Sequence, residues 1–146
     1  MKKKILIADK LIQPFEKVYK LKFNVDCLWK IKTKNNSLEH EAVMVTGGFK
    51  TNKHFLKKFK NLKIVSVFGV GYDGVDINYC KKNSIKVTNT PDILTNDVSD
   101  LAIGFLISLS RKIIDNHNYT KKNKWLKSPL VLNESLTNKK VGIVGM

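Results

Sequence analysis

The chain is almost without arginine. Arg111 is the only one among 27 basic residues, which face 12 acidic ones, so a formal net charge of +15 rests on lysine. Proteins that read bases favour the planar, bidentate guanidinium, and lysine does not replace it. The lysines are spread from Lys2 to Lys140, and asparagine is also abundant, so the charge reads as a compositional bias and no nucleic-acid partner is expected. Long hydrophobic runs are missing too. The longest uncharged stretch, Leu101 to Ser110, is too short for a bilayer and is interrupted by serines and a glycine. The start, Met1 to Asp9, is basic, but its apolar run falls short of a secretory h-region. We therefore expect no membrane partner and a cytoplasmic location. Cysteine is scarce: Cys27 and Cys80 lie far apart, in no metal-ligand spacing, and read as core thiols with no metal site.

What is present suits a packed domain. Of the 146 residues, 42% are hydrophobic, enough for a core and too many for a disordered chain. The first ninety residues alternate short Val- and Ile-rich runs with polar, helix-compatible segments. Lys4–Ala8, Val25–Trp29, Ala42–Thr46, Ile64–Val67 and Ile85–Thr88 are expected strands, and Pro14–Leu21, Asn52–Phe59 and Val75–Asn83 expected helices. The polar connection from Lys30 to Glu41, with Asn35-Asn36-Ser37 in its middle, has room for one helical turn at most. Strands joined by crossovers of this length pair in parallel, which makes an α/β sheet.

From Asp97 the apolar spacing becomes helical. Val98, Leu101, Ala102, Phe105, Leu106, Leu109 and Ile113 recur at three and four, which predicts one helix from Asp97 to about Asn116, capped by Asn96 and with Arg111 and Lys112 in its last turn. Ile103, Ile107 and Ile114 fall off that stripe, so the helix should be buried between two layers or two subunits. Tyr119–Lys127 is basic, Ser128–Lys139 a polar loop, and Lys140–Gly145 reads as a strand that opens a second domain.

The segment with the most chemistry is Val67-Phe68-Gly69-Val70-Gly71-Tyr72-Asp73-Gly74-Val75-Asp76. A strand runs directly into Gly-x-Gly, after which Asp73 is expected to cap a helix, with Asp76 completing a capping box. The main-chain N–H groups of Val70 and Gly71, at a strand's carboxyl end, could hold a carboxylate. Ordinary turn chemistry is the competing account. The three histidines, His40, His54 and His117, are each expected to face solvent, and neither cysteine has a histidine partner.

Taken in order, Gly69–Asp76, Ile85–Thr95 (IKVTNTPDILT), Asp97–Arg111 (DVSDLAIGFLISLSR), Trp125, Pro129-Leu130 and Lys140–Gly145 (KVGIVG) resemble the D-isomer-specific 2-hydroxyacid dehydrogenase family. The resemblance implies a flavodoxin-like parallel sheet binding substrate over residues 1–96, an interdomain helix over 97–118, and over 119–146 the first strand of an incomplete Rossmann domain. It implies a small 2-oxo or 2-hydroxy acid as ligand, NAD or NADP as cofactor, and a possible homodimer. By position, Val70 and Gly71 would bind substrate, Val98 would lie against the nicotinamide, and Gly145 would open the Gly-x-Gly-x-x-Gly phosphate turn, where Met146 takes the second glycine's place. The family's catalytic Arg, Glu and His fall beyond Met146, so no catalytic residue is expected in this chain and the isolated chain is expected to be inactive. A stand-alone flavodoxin-like module that binds a small carboxylate or dimerises through the long helix is the other reading.

Overall fold

The computed structural model describes residues 2–31 and 37–144. Five short strands, β1 (Lys4–Ile7), β2 (Asn24–Cys27), β3 (Ala42–Thr46), β4 (Ile64–Phe68) and β5 (Lys86–Thr88), form one parallel sheet in the order β2-β1-β3-β4-β5. That is the flavodoxin-like order, as the resemblance implied. The strands are apolar on both faces because both are covered. Leu6, Val43, Val45, Val65 and Val67 face one side, with Phe55, Leu56, Phe59, Val75 and Cys80. Ile5, Ile7, Val25, Cys27 and Met44 face the other, with Ile12.

The connections are shorter and more irregular than the sequence suggested. Pro14 lies in a 3-10 segment, Lys10–Phe15, which leads into α1 (Glu16–Lys22). β2 ends at Cys27, and Leu28–Lys30 form a 3-10 turn, so Trp29 is outside the strand. α2 is only Lys53–Leu56, capped by the Asn52 side chain on the Phe55 N–H at 3.0 Å. α3 (Ile77–Lys82) is capped by Asp76, which accepts from the Tyr79 N–H at 2.9 Å. Asp73 is therefore not the cap, and the expected capping box does not form. Asn35 and Asn36 lie outside the described residues.

The chain divides into two compact units, Met1–Ile93 and Leu94–Met146. The second holds α4 (Thr95–Ser110) and α5 (Ile113–Lys121), which replace the single helix expected from Asp97 to Asn116. The break is at Lys112, whose φ of 47° is left-handed and cannot continue the i to i−4 ladder. The carbonyl of Arg111, freed there, accepts instead from the side-chain amides of Asn116 (2.9 Å) and Asn133 (3.0 Å). Arg111 and Lys112 thus lie beyond the end of α4, and at its start Leu94, not Asn96, occupies the cap position without a side-chain bond. Lys140–Val144, read as a strand, are irregular; a strand needs a neighbour for its backbone groups, and among the described residues none pairs with it.

The first unit is tied at its β2 side by Glu16. Its carboxylate accepts from Lys20 Nζ at 2.6 Å and Lys30 Nζ at 2.8 Å, joining α1 to the turn after β2. Hydrogen bonds from Lys20 first, then from Lys30, lower its pKa from the ordinary 4.5 to about 2. A depressed carboxyl contributes stability above its unfolded value and loses it as pH falls toward the folded one. Glu16→Gln should therefore lower the urea midpoint at pH 7, and the gap to the parent chain should close between about pH 4.5 and pH 2.

Candidate functional site

The carboxyl edge of the sheet is where a parallel α/β fold presents loop backbone to ligands. The topological switch point lies between β1 and β3, and Asp9 stands there. One of its carboxylate oxygens accepts from the Leu11 N–H at 3.0 Å, and the other accepts from the hydroxyl of Thr46. An anion would meet a carboxylate at that crevice, so it is unsuited to an acid ligand.

The turn after β4 also has a carboxylate at hand, Asp73, but differs in offering free main-chain donors. Gly69 has φ 142°, a conformation L side chains rarely adopt. Its N–H donates to Thr90 Oγ1 at 3.1 Å and its carbonyl accepts from the Thr90 N–H at 2.9 Å. The carbonyl of Val70 accepts from Asn89 Nδ2 at 2.9 Å. Among the described residues the N–H groups of Val70 and Gly71 donate to no acceptor, and both residues are exposed. The turn thus presents two adjacent free amides, the arrangement that accepts a carboxylate. The six-residue α3 begins only after Asp76, so no helix starts at Asp73 beside these amides.

Around this turn the neighbouring loop makes a close fit. The Gly74 N–H donates to the Gly47 carbonyl at 2.8 Å, and the Thr51 N–H to the Gly74 carbonyl at 2.8 Å. A β-carbon on Gly47 would be driven into the Gly71 carbonyl, and one on Gly74 into the carbonyls of Phe49 and Gly47. At Gly71 a β-carbon would meet only Asp73 Oδ2, at 3.9 Å, which is ordinary contact. The fold therefore needs glycine at 47 and 74 and does not need it at 71. On the side toward α1, Phe68 leans on Phe15 with ring centroids 5.2 Å apart, both about two-fifths exposed. Tyr72, Ile77, Val87, Thr88 and Asn89 line a shallow cavity of about 320 Å³ on the turn's flank.

The other expected residues fall elsewhere. Val98 lies in the first turns of α4, in the second unit, and is exposed; Gly145 and Met146 lie outside the described residues. Among the described residues no three potential ligands gather for a metal. His54 and His117 are exposed as expected, but His40 is not: it is 2% exposed, with Nε2 2.9 Å from Asp26 Oδ2 and its ring edge against Phe59. Leu38 explains this, because its bonds to Lys58 and Lys60 fold the segment before β3 onto the body. That places His40 at the opposite end of the sheet from Gly69–Gly71. Burial raises the pKa of both thiols, with Glu16 adding to the effect at Cys27 and Asp76 at Cys80, so neither is an activated nucleophile. Asn89 was missed as a site residue; its only signal was an asparagine directly after a strand and two residues before Pro91.

A 2-1-3-4-5 parallel sheet with a glycine turn at its carboxyl edge is the frame of an α/β ligand-binding domain, and comparison with known proteins makes it specific. Residues 5–142 match the family described as D-isomer specific 2-hydroxyacid dehydrogenase, catalytic domain. The chain is 38% identical to the glyoxylate/hydroxypyruvate reductase A of Arabidopsis thaliana over 80% of its own length and 36% of that protein. It is 32% identical to the glyoxylate reductase of Thermococcus litoralis, covering 99% of this chain and 47% of the relative. Among solved structures, the 2-hydroxyacid dehydrogenase of Ketogulonicigenium vulgare superposes with a TM-score of 0.82 at 29% identity, over 93% of this chain and 45% of that one. The NADPH-dependent glyoxylate/hydroxypyruvate reductase of Sinorhizobium meliloti, solved with NADP and malonate, gives 0.79 at 28%, over 99% and 46%. This chain belongs to the D-isomer specific 2-hydroxyacid dehydrogenase family. It spans between a third and a half of the length of these relatives.

The glycine geometry separates fold from site. Gly47→Ala should cost about 2 kcal/mol or more, because the obstacle is backbone, whereas Gly71→Ala should stay within about 0.5 kcal/mol of the parent. Urea unfolding of both variants checks this.

Proposed function

We propose that this chain is the substrate-binding side of an NAD(P)-dependent oxidoreductase that acts on the CH–OH group of D-2-hydroxy acids and reduces small 2-oxo acids. The observation that carries the reading is the pair of free amides at Val70 and Gly71, on a turn where glycine at 71 serves no need of the fold. The similar proteins are reductases of glyoxylate and hydroxypyruvate, which supports the same substrate class. In this reading residues 1–96 bind substrate, 97–118, which hold most of α4 and the start of α5, form the interdomain segment, and 119–146 begin the nucleotide-binding domain.

NAD or NADP, when bound, supplies or takes the hydride. Of the residues assigned to it, Val98 is an exposed apolar side chain that can cover one face of a nicotinamide ring, and it holds neither ribose nor phosphate. Gly145 would start the phosphate turn. What this chain does itself is to fix the acid by its carboxylate. Proton transfer is not among its tasks: among the described residues the one histidine–carboxylate pair is His40–Asp26, at the far end of the sheet. We read the protein as cytoplasmic and, as the isolated chain, inactive.

The partner follows from α4. Leu101, Ile103, Phe105, Ile107 and Leu109 are all exposed, on more than one side of the helix, and none of the described residues of the second unit is buried. Large apolar patches of this kind drive association, and we assign this one to a homodimer.

Three outcomes are expected. Purified chain should not oxidise NADH with glyoxylate or hydroxypyruvate above a blank, and malonate should shift the amide resonances of Val70 and Gly71, an effect that Gly71→Val abolishes and Val70→Ala leaves in place. Shifts that persist in Gly71→Val would make the turn purely structural. In sedimentation velocity the chain should associate, and Phe105→Asp combined with Leu109→Asp should return it to a monomer; a parent chain that is monomeric at high concentration would sink the dimer.

A further inference from the structure

A trans peptide unit holds its carbonyl and its N–H antiparallel in one plane, so fixing one aims the other. Among the described residues no peptide bond is cis. The unit joining Gly69 to Val70 is fixed through its carbonyl by the Thr90 N–H at 2.9 Å, which directs the Val70 N–H away from the loop after β5. The next unit, joining Val70 to Gly71, is fixed through its carbonyl by Asn89 Nδ2 at 2.9 Å, which directs the Gly71 N–H away from the same loop. Two successive carbonyls are therefore held from one side, and two successive N–H groups face the other.

The two ties are not equivalent. Thr90 acts through main chain, which any residue would supply. Asn89 acts through its side chain: the amide that aims Gly71 depends on this residue type. A side chain at this position must reach across from β5 and donate a hydrogen, and aspartate, leucine or alanine would not do so. Without the tie, the Val70–Gly71 unit is free to rotate about its flanking bonds, and an amide not held in place loses part of its hydrogen bond to ordering entropy.

We propose that Asn89 is a positioning residue of the carboxylate site, holding the Val70 carbonyl so that the Gly71 N–H is preset toward the acid. The proposal rests on the reading of Val70 and Gly71 as substrate-binding amides and adds the group that orients them. Asn89 does not touch the acid; it decides whether the second amide is ready for it.

The test is a titration of the 146-residue chain with malonate, followed by 1H–15N spectra and by thermal melting. Asn89→Leu keeps the size and introduces no charge. It should weaken malonate about tenfold, the scale of one lost charge-assisted hydrogen bond. It should move the Gly71 resonance in the unliganded spectrum, leave those of Val43 and Val65 in place, and melt within a few degrees of the parent. Asn89→Gln, which retains an amide donor, should recover part of the affinity. Unchanged malonate affinity in Asn89→Leu would overturn the positioning role while the two-amide site stands. Malonate failing to shift Val70 or Gly71 in the parent chain would overturn both. Should Asn89→Leu not give a native spectrum, Asn89→Ala is judged by the same criteria, and an equal loss of affinity in Asn89→Gln would assign the contact to loop packing and overturn the proposal.

Discussion

Two loops of this protein touch through bare backbone, and the carboxyl edge of the sheet is built on that contact. The Gly74 N–H donates to the Gly47 carbonyl while the Gly47 α-carbon lies against the Gly71 carbonyl. Only residues without a β-carbon allow such an approach. Because β3 and β4 are adjacent and in register from Ala42–Ile64 to Thr46–Phe68, the loops leaving them start side by side. The glycines then let them stay together, and Thr51 extends the pairing through its bridge to Val75. The β4 turn is thereby held on one flank by the β3 loop and on the other by Asn89 and Thr90. A pair of free main-chain donors is costly to keep in order; here the order comes from neighbours on both sides.

Much of this frame was legible in the sequence. The five strands were readable because Val, Ile and Leu occur in short runs bounded by Asp, Gly or Asn, and burial on both faces makes those runs nearly continuous. The Gly69–Gly71 turn was readable from its place directly after such a run. Helix limits were not. α2 and α3 are one or two turns long, too short for periodicity to mark, and their caps were decided by which Asp or Asn side chain could reach the N–H three residues on: Asn52 and Asp76, not Asp73. The break at Lys112 escaped the pattern because the apolar spacing continues through it; it depends on Asn116 and Asn133, the second of which is remote in sequence. His40 misled for the same reason, since its burial depends on Leu38 bonding to a segment twenty residues away.

The two units use their apolar residues in opposite ways. In the first, Leu6, Ile7, Ile12, Val43, Val45 and Val65 are wholly buried and the core closes within the unit. In the second, α4 is as apolar as a core helix, yet Leu109 is 78% exposed and Leu101 and Phe105 more than half so. A segment that orders backbone without burying side chains cannot offset its conformational entropy alone. Its helices gain what they have from local bonds, such as Tyr119 to Ser128 and Ser99 to the Thr95 carbonyl, and these are exposed and weak. The physical requirement on α4 is therefore external: something apolar must cover it.

The same imbalance bears on how tightly the first unit could hold an acid. Two amide hydrogen bonds to a carboxylate contribute about 1.5–3 kcal/mol each, net of the water they replace, which places a two-amide site near millimolar affinity. Lysine does not close that gap here: among the described residues no lysine is bonded to the turn, and the carboxylate beside it, Asp73, opposes an acid rather than holding one. The +15 charge raises the local concentration of small anions over the whole surface but selects no position. On the proposed reading, specific retention of the acid requires a further cation brought to the exposed side of Val70 and Gly71. A turn that is preset but weak on its own is suited to that arrangement, because a ligand held by amides alone leaves readily, and one held from a second side is committed only when both sides are present.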